Sequence, residues 1–212
     1  MIIGKVLAKR ALTTPSREAL ISRGRTFTYG QLNQRANKTA NALLDIGVRP
    51  GDRVGLLMAN CNEFLETFFA TAKIGAVLVP LNIRLAPEEL DFILKDCGVS
   101  EFIFGHAFEE KAKNIEYLKK VKHCLSTGPS SLIETLDYED FIRQASDKEP
   151  SVPVEEKELL VIMYTSGTTG HPKGAMLTHA AMYSGGMDLA IGLHYQYPDR
   201  CLLLALSFTQ EP

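Results

Sequence analysis

Short, largely apolar runs alternate with amphipathic helical segments along the first half of the chain, and this alternation constrains the fold more than any other feature. The runs occupy residues 54–58, 76–79 and 101–104, and helical spacing of apolar residues separates them at 64–72 and 87–97. Short strands joined by helices are typical of βαβ units around a parallel sheet that is covered on both faces. Buried helices are the alternative, but the shortness of the runs and their Val, Ile and Phe content favour strands. We therefore predict an α/β fold with a layered parallel sheet.

Capping signals predict where the helices begin and end. Thr28 and Gln31 form a capping box, so a helix is predicted to begin after Thr28. Gly47 and Gly75 are predicted to end helices, because glycine readily adopts the left-handed conformation found there. Pro87 suits the first turn of a third helix, since its missing N–H is not needed there.

The signal for regular structure weakens in the middle of the chain. The charged residues 109–122 are predicted to be helical. The polar, proline-containing stretch 146–158 is the best candidate for an internal boundary. We therefore predict a first α/β subdomain over residues 1–158 and the start of a second over residues 159–212.

The composition excludes several classes of protein. The chain has 212 residues, of which 45% are hydrophobic and 23% charged, as in an ordinary globular protein and unlike a disordered one. A net charge of −2 gives no basic excess for nucleic acid, and no apolar run reaches the ~18 residues of a membrane span. The N-terminus lacks the pattern of a signal peptide, and the four cysteines are far apart in the sequence, with no metal-ligand spacing. We therefore expect a cytoplasmic protein with reduced thiols, no nucleic-acid partner, no integral membrane segment and no metal ligands.

The strand-like run 159–164 leads directly into a loop with an unusual composition. Residues 165–174 contain four Ser or Thr hydroxyl groups, three glycines and Lys173. Glycine lets successive backbone N–H groups point at an anion, the hydroxyl groups add donors, and Lys173 supplies positive charge. We predict a strand, a polyphosphate-binding loop and a second strand over residues 159–178. From composition alone, a flexible surface linker is the alternative.

The loop differs from a Walker A loop in the residues around its lysine. The Walker A pattern requires glycine directly before the lysine and a hydroxyl residue after it. Here Pro172 precedes Lys173, and Gly174 follows it. A phosphotransferase with an atypical phosphate loop is therefore the weakest of the functional hypotheses.

Residues 164–174 resemble the signature loop of the adenylate-forming enzymes, which include acyl-CoA synthetases, peptide-synthetase adenylation domains and luciferases. The pattern has eleven positions, and His171 occupies its one free position. The resemblance covers nearly the whole chain and is also carried by three further segments, residues 26–32, 47–54 and 72–85.

This resemblance implies a fold, an activity and a set of binding residues. It implies the layered αβαβα-type N-terminal domain of these enzymes, here incomplete. It also implies that ATP activates a carboxylate as an acyl-adenylate, with release of pyrophosphate, and that the acyl group then passes to coenzyme A. We therefore expect the N-terminal part of an ATP- and Mg²⁺-dependent acyl-CoA synthetase, of the type that acts on long- or medium-chain fatty acids. The resemblance implies that the β- and γ-phosphates of ATP are bound by loop residues, namely Thr165, Ser166, Gly167, Thr168, Thr169, Gly170 and Lys173.

We interpret the other candidate side chains as structural. His171 is expected to face solvent, and His179, at a predicted helix start, is expected to have a structural role. Asn82 and Arg84 follow a predicted strand and are expected to pin a loop. The aromatic stripe is expected to belong to the core and not to an acyl pocket: Phe64, Phe68 and Phe69.

The sequence departs from the family pattern after residue 204. Members of the family usually continue to a segment that ends Pro-Leu-Phe-His, whereas Thr209 takes the histidine position here. The resemblance implies that the acidic residue for Mg²⁺, the ribose-binding aspartate and the catalytic lysine lie outside this chain. We therefore expect that the chain alone forms no acyl-adenylate, and that an incomplete sheet exposes a strand edge for self-association. A non-catalytic module that binds nucleotide or a partner protein is the alternative.

Overall fold

Seven α-helices and nine β-strands make up the described part of the chain. The computed structural model describes residues 1–132, 134–165, 172–196 and 199–201. None of the described helices is both long enough and apolar enough to cross a membrane. The helices are α1 (Ile3–Thr13), α2 (Tyr29–Asp45), α3 (Asn62–Ile74), α4 (Pro87–Cys97), α5 (Glu109–Lys113), α6 (Tyr138–Arg143) and α7 (His179–Gly192). The strands are β1 (Glu18–Ser22), β2 (Arg25–Thr28), β3 (Arg53–Leu57), β4 (Val77–Pro80), β5 (Glu101–Phe104), β6 (His123–Ser126), β7 (Thr135–Asp137), β8 (Leu159–Thr165) and β9 (Lys173–Thr178).

Seven of the strands form one sheet, in the order β7-β6-β5-β3-β4-β8-β9 across the described residues. Every neighbouring pair from β7 to β8 is parallel, whereas β9 runs antiparallel to β8. β1 and β2 form a separate antiparallel hairpin. Helix α3 connects β3 to β4, and helix α4 connects β4 to β5, which makes two consecutive βαβ units. The predicted α/β fold with a mostly parallel sheet is confirmed.

Both faces of the sheet are covered, because neighbouring residues of one strand belong to different core clusters. Leu56 of β3 lies in a cluster with Leu43 of α2 and Ile74 of α3. Leu57 lies in a second cluster, with Leu94 of α4. Side chains of a strand alternate between the two faces, so α2 and α3 cover one face and α4 covers the other.

The predicted helix boundaries at the capping signals are confirmed. Gln31 N donates to Thr28 Oγ1 at 3.2 Å, and Thr28 N donates to Gln31 Oε1 at 2.9 Å, which is the predicted capping box. Gly75 ends α3 in the left-handed conformation with φ +71°, and Gly47 follows α2 with φ +96°. Pro87 is the first residue of α4.

The predicted helix over residues 109–122 is wrong in part. The structure has the five-residue helix α5, followed by a 3-10 turn over Glu116–Lys120. Tyr117 N donates to Asp91 Oδ1 of α4 at 2.5 Å, and not to a carbonyl four residues earlier. This bond to α4 takes the place of the hydrogen bond that Tyr117 N would form in a continuous α-helix. No spacing of residues near Tyr117 indicates it.

Helix α2 holds an extended segment of the chain through its side-chain amides. Asn37 Nδ2 donates to the carbonyl oxygen of Asp147 at 2.9 Å. Asn41 Nδ2 donates to the carbonyl oxygens of Ser146 at 2.7 Å and of Lys148 at 2.9 Å. The segment belongs to the stretch 146–158, which is described throughout and contains no helix or strand, as predicted.

Strands β8 and β9 belong to the same sheet as the strands before residue 158. β4 and β8 pair in parallel, with Leu78 opposite Val161. In the described residues, the predicted division into 1–158 and 159–212 therefore runs through a single sheet. The division itself stays a prediction.

Candidate functional site

The predicted phosphate loop lies between two antiparallel strands at one end of the sheet. β8 and β9 place Tyr164 opposite Gly174 and Thr165 opposite Lys173, so the loop begins and ends at a paired position. The two strands predicted over residues 159–178 are confirmed. The loop residues themselves lie outside the described residues, and they include Ser166, Gly167, Thr168, Thr169, Gly170 and His171.

Thr165 and Lys173 are the two predicted site residues that the structure describes, and it brings them together. They face each other across the β8–β9 pair, and both are exposed. We call the pair Thr165 and Lys173 the loop base. Paired residues on neighbouring strands project from the same face of a sheet, so the hydroxyl of Thr165 and the ammonium of Lys173 lie on one side of the loop base. The side chain of Lys173 forms no hydrogen bond or ion pair with another described residue. Its charge is therefore available to an anion.

The loop base lies at the carboxyl edge of the parallel sheet. β4 and β8 are parallel neighbours, so the segments that follow them leave the sheet on the same side. After β4, Asn82 Oδ1 accepts from Arg84 N at 2.9 Å, and Asn82 O accepts from Leu85 N at 3.2 Å. These bonds close a turn, as expected for residues that pin a loop. Ligands of open α/β sheets bind outside the carboxyl ends of the strands, which is where the predicted phosphate loop begins.

His179 has a structural position at the start of α7. Its side chain is buried, and Nδ1 accepts a hydrogen bond from Ile3 N at 3.2 Å, which ties α7 to α1. Burial lowers the pKa of His179, which favours the neutral ring that an accepting Nδ1 requires. Nε2 has no hydrogen-bond partner among the described residues. The structural interpretation of His179 is confirmed.

The aromatic stripe of α3 belongs to the core, as expected. Phe64 is buried, and Phe68 and Phe69 pack against the same cluster. The rings of Phe68 and Phe69 meet edge to face, with centroids 5.2 Å apart. The stripe therefore stabilises the packing of α3 against the core.

The four cysteines are free thiols, and the three that are buried or half-buried are poor candidates for nucleophiles. Burial raises the pKa of Cys61 to about 12, and it raises the pKa of Cys97 and of Cys124 to about 11. Thiols with such values stay protonated at neutral pH and are unreactive. In the described part of the chain, no group of three or more His, Cys, Asp or Glu side chains is placed to hold a metal ion.

A buried charge network that the sequence analysis missed joins α2, α3 and α6. Arg35 donates to the buried carboxylate of Glu66 and to Glu139, while Tyr138 Oη donates to Glu66 Oε2 at 3.0 Å. Burial acts to lower the pKa of Arg35, but the two carboxylates outweigh it and raise that pKa. No hydrogen bond in the described residues joins the network to Thr165 or Lys173, so we assign it to stability. No sequence motif marks it, because its members are far apart in the chain.

Comparison with known protein families identifies the family to which this chain belongs. A family model described as AMP-binding enzyme matches residues 7–209. The chain belongs to the AMP-binding enzyme family. The resemblance stated from the sequence is therefore confirmed over nearly the whole chain.

The relatives of this AMP-binding family member include named CoA ligases. A long-chain-fatty-acid–CoA ligase of Mycobacterium tuberculosis, FadD13, is 40% identical over 208 residues, which are 95% of this chain and 40% of that protein. A feruloyl-CoA synthase of an Amycolatopsis species is 36% identical over 206 residues, which are 97% of this chain and 39% of that protein. The chain thus spans about two fifths of the length of these relatives.

Solved structures share the fold of this AMP-binding family member. The inhibitor-bound N-terminal domain of FACL13 from Mycobacterium tuberculosis has a TM-score of 0.80 and 37% identity, over 93% of this chain and 49% of that one. The anthranilate CoA ligase AuaEII in complex with anthranoyl-AMP has a TM-score of 0.79 and 30% identity, over 83% of this chain and 34% of that one. The predicted layered fold of the N-terminal domain of adenylate-forming enzymes is confirmed.

Proposed function

We propose that this chain is the N-terminal part of an AMP-forming acyl-CoA synthetase. The enzyme would use ATP to convert a carboxylic acid to an acyl-adenylate, release pyrophosphate, and pass the acyl group to the thiol of coenzyme A. The observation that carries the proposal is the pair Thr165–Lys173, which closes the family's signature loop at the carboxyl edge of the sheet. The CoA ligases at 40% and 36% identity support it.

The proposed role of the loop is to hold the β- and γ-phosphates of ATP. When the carboxylate attacks the α-phosphorus, the bond to the bridging oxygen breaks and pyrophosphate leaves with the negative charge. Donors that are already placed around the departing oxygens stabilise that charge without reorganising. The exposed ammonium of Lys173 can form charge-assisted hydrogen bonds to phosphate oxygens. The full proposed set is Thr165, Ser166, Gly167, Thr168, Thr169, Gly170 and Lys173.

Mg²⁺ is part of the proposal as an ion that accompanies the ATP phosphates. Mg²⁺ is commonly held by substrate phosphates with one or two carboxylates. The described residues offer no cluster of ligands that would hold a metal ion by themselves. We therefore assign no residue of this chain to the ion.

The remaining parts of the proposal concern the substrate, the location and the state of the chain. A long- or medium-chain fatty acid is proposed as the substrate, on the likeness to the named fatty-acid ligase. A cytoplasmic location is proposed because the cysteines are free thiols. We also propose that the 212-residue chain alone forms no acyl-adenylate and that it self-associates through the edge of β9 that is unpaired among the described residues.

A chimera tests the proposed activity. This chain would replace the matching 208 residues of FadD13, and ATP–pyrophosphate exchange would be measured with a panel of carboxylic acids, beside FadD13 and the 212-residue chain. We expect exchange that depends on a fatty acid in the chimera and no exchange in the chain alone. A chimera that gives a cooperative thermal transition but catalyses no exchange with any acid would contradict the proposal.

A further inference from the structure

Tyr164, the last residue before Thr165, connects the loop base to helix α4. Its hydroxyl donates to Asp96 Oδ2 at 2.5 Å, across 68 positions of sequence. Its ring packs, together with Ile162, against the core cluster on the α4 face of the sheet. Burial, followed by the bond to Asp96, raises the pKa of Tyr164, so the phenol keeps the proton that it donates.

Gly174 is the residue of β9 that lies opposite Tyr164, and the Tyr164 ring occupies the space beside it. A Cβ added at Gly174 would lie 2.9 Å from Ile162 Cγ2 and 3.1 Å from Tyr164 Cζ. A side chain at this position would displace Ile162 or Tyr164, so the ring contacts one side of the glycine, whose other side is exposed. An aromatic ring over a glycine in a neighbouring strand stabilises an edge strand that would otherwise lack side-chain packing.

The contacts of Tyr164 and the proposed phosphate contacts lie on opposite faces of the sheet. Met163 packs against the cluster on the α2 and α3 face, whereas Tyr164 packs on the α4 face. Because side chains alternate, Thr165 and Lys173 project on the face opposite Tyr164. Tyr164 therefore holds the strand ends from behind and leaves the other face open to a ligand.

We propose that Tyr164 is a positioning residue for the phosphate loop: through Asp96 and Gly174 it fixes the two strand ends from which Thr165 and Lys173 reach the phosphates. It touches no substrate and acts through Lys173. The proposal rests on the proposed function of the loop. A loop whose ends are already fixed loses less conformational freedom when it binds an anion, so the same contacts give higher affinity.

Two measurements on the 212-residue chain test this proposal. Hydrogen exchange reports whether the amides of residues 163–165 and 173–175 are held, and an NMR titration with inorganic pyrophosphate reports the affinity of the loop. We expect Tyr164→Phe, which loses only the hydroxyl, to speed exchange at those amides and to weaken pyrophosphate binding about three- to tenfold. Asp96→Asn, which keeps an acceptor oxygen, should lose less affinity than Asp96→Ala.

The matched control is Tyr117→Phe, since Tyr117 packs against the same core cluster and its hydroxyl has no described partner. It should change neither measurement. Unchanged hydrogen exchange in Tyr164→Phe would show that the Tyr164 hydroxyl does not fix the strand ends. Faster hydrogen exchange with unchanged pyrophosphate affinity would overturn the positioning role of Tyr164. Failure of the proposed function looks different: the unaltered chain and Lys173→Ala would then bind pyrophosphate equally or not at all, and the positioning role would fall with it even if exchange became faster.

Discussion

The buried carboxylate of Glu66 accepts two hydrogen bonds from the guanidinium of Arg35, at 2.6 Å from Nε and 3.0 Å from Nη2. The pair joins α2 to α3, and Tyr138 of α6 adds a third bond to the same carboxylate. This geometry satisfies both carboxylate oxygens, which a buried charge requires. The three helices are therefore held together by charge as well as by apolar packing.

The first prediction is that Glu66→Ala strongly destabilises the chain. The substitution leaves the guanidinium of Arg35 with Glu139 as its remaining partner and removes the acceptor of Tyr138 Oη, so we expect a cost of about 3 kcal/mol, the lower end of the range for breaking a buried pair. Urea unfolding followed by circular dichroism measures the free energy of unfolding. Glu116→Ala is the control, because it breaks an exposed pair with Lys119 and should cost no more than about 1 kcal/mol. Equal effects of the two substitutions would show that the buried pair adds nothing to stability.

The second prediction concerns stability at low pH. Glu109 Oε1 accepts from Ser131 N at 2.7 Å and from Ser131 Oγ at 2.6 Å, and these bonds lower the pKa of Glu109 to about 2. Because the folded pKa is below the unfolded one, the stabilisation is complete above pH 4.5 and is lost as the pH falls from 4.5 towards 2. Glu109→Gln should flatten the dependence of the urea midpoint on pH over that interval.

Glu110→Gln is the control for this pH dependence, since Glu110 is exposed and pairs with Lys113 at the surface. Its urea midpoints should follow those of the unaltered chain at each pH. If Glu109→Gln also follows them, the bonds to Ser131 do not contribute to acid stability.

The third prediction is that Lys173→Ala impairs adenylation and spares the fold. Lys173 is exposed and packs against little, so the free energy of unfolding should change by less than about 0.5 kcal/mol. A charge-assisted hydrogen bond of about 1.5–3 kcal/mol corresponds to a roughly 10- to 100-fold loss in pyrophosphate exchange by the FadD13 chimera. Lys119→Ala, at another exposed lysine, should leave the exchange rate unchanged. Full pyrophosphate exchange activity in Lys173→Ala would show that this lysine does not bind the phosphates.

The fourth prediction is that the 212-residue chain self-associates. β9 is the last strand of the sheet in the described residues, and its Met176 side chain is 67% exposed. Helix α7 adds several exposed apolar side chains, namely Met187, Leu189 and Ile191. Sedimentation velocity should show a concentration-dependent increase in the weight-average sedimentation coefficient, which Met176→Lys reduces because a charge on an edge strand opposes pairing.

Leu12→Lys provides the control for self-association, because Leu12 of α1 is also highly exposed but lies on a separate helix. It should leave the association unchanged. A sedimentation coefficient that does not depend on concentration would contradict the prediction.

The sequence predicted those helices and strands whose formation depends on residues within the element itself. The capping box at Thr28, the left-handed Gly75 and the apolar strands β3, β4 and β5 all carry such signals, and each was confirmed. β6 and β7 escaped prediction because they are short and polar at their ends, and their positions depend on pairing with β5 and with each other. The bond from Tyr117 to Asp91 also depends on the folded chain, and it interrupts a helix that charge pattern alone favours.

In the candidate site, too, the features that depend on local sequence could be predicted, and those that depend on long-range contacts could not. The loop sequence predicted the strand pair around Thr165 and Lys173, because glycine and hydroxyl residues between two apolar runs are a local pattern. The bond between Tyr164 and Asp96 could not be predicted, since neither residue is unusual in its own segment. Only the folded sheet brings the end of α4 next to β8.

The amides of Asn37 and Asn41 bind carbonyl oxygens of residues 146–148 and not their side chains. Every amino acid carries that carbonyl, so these three bonds place no demand on the side chains of the segment, whereas the carboxylates of Asp147 and Glu149 are bound by Gln34 and Asn33 of α2. Substitutions at Lys148 should therefore be nearly neutral in a deep mutational scan, while Asn37 and Asn41 should tolerate few replacements. Helix α2 and the segment beside it would diverge at different rates.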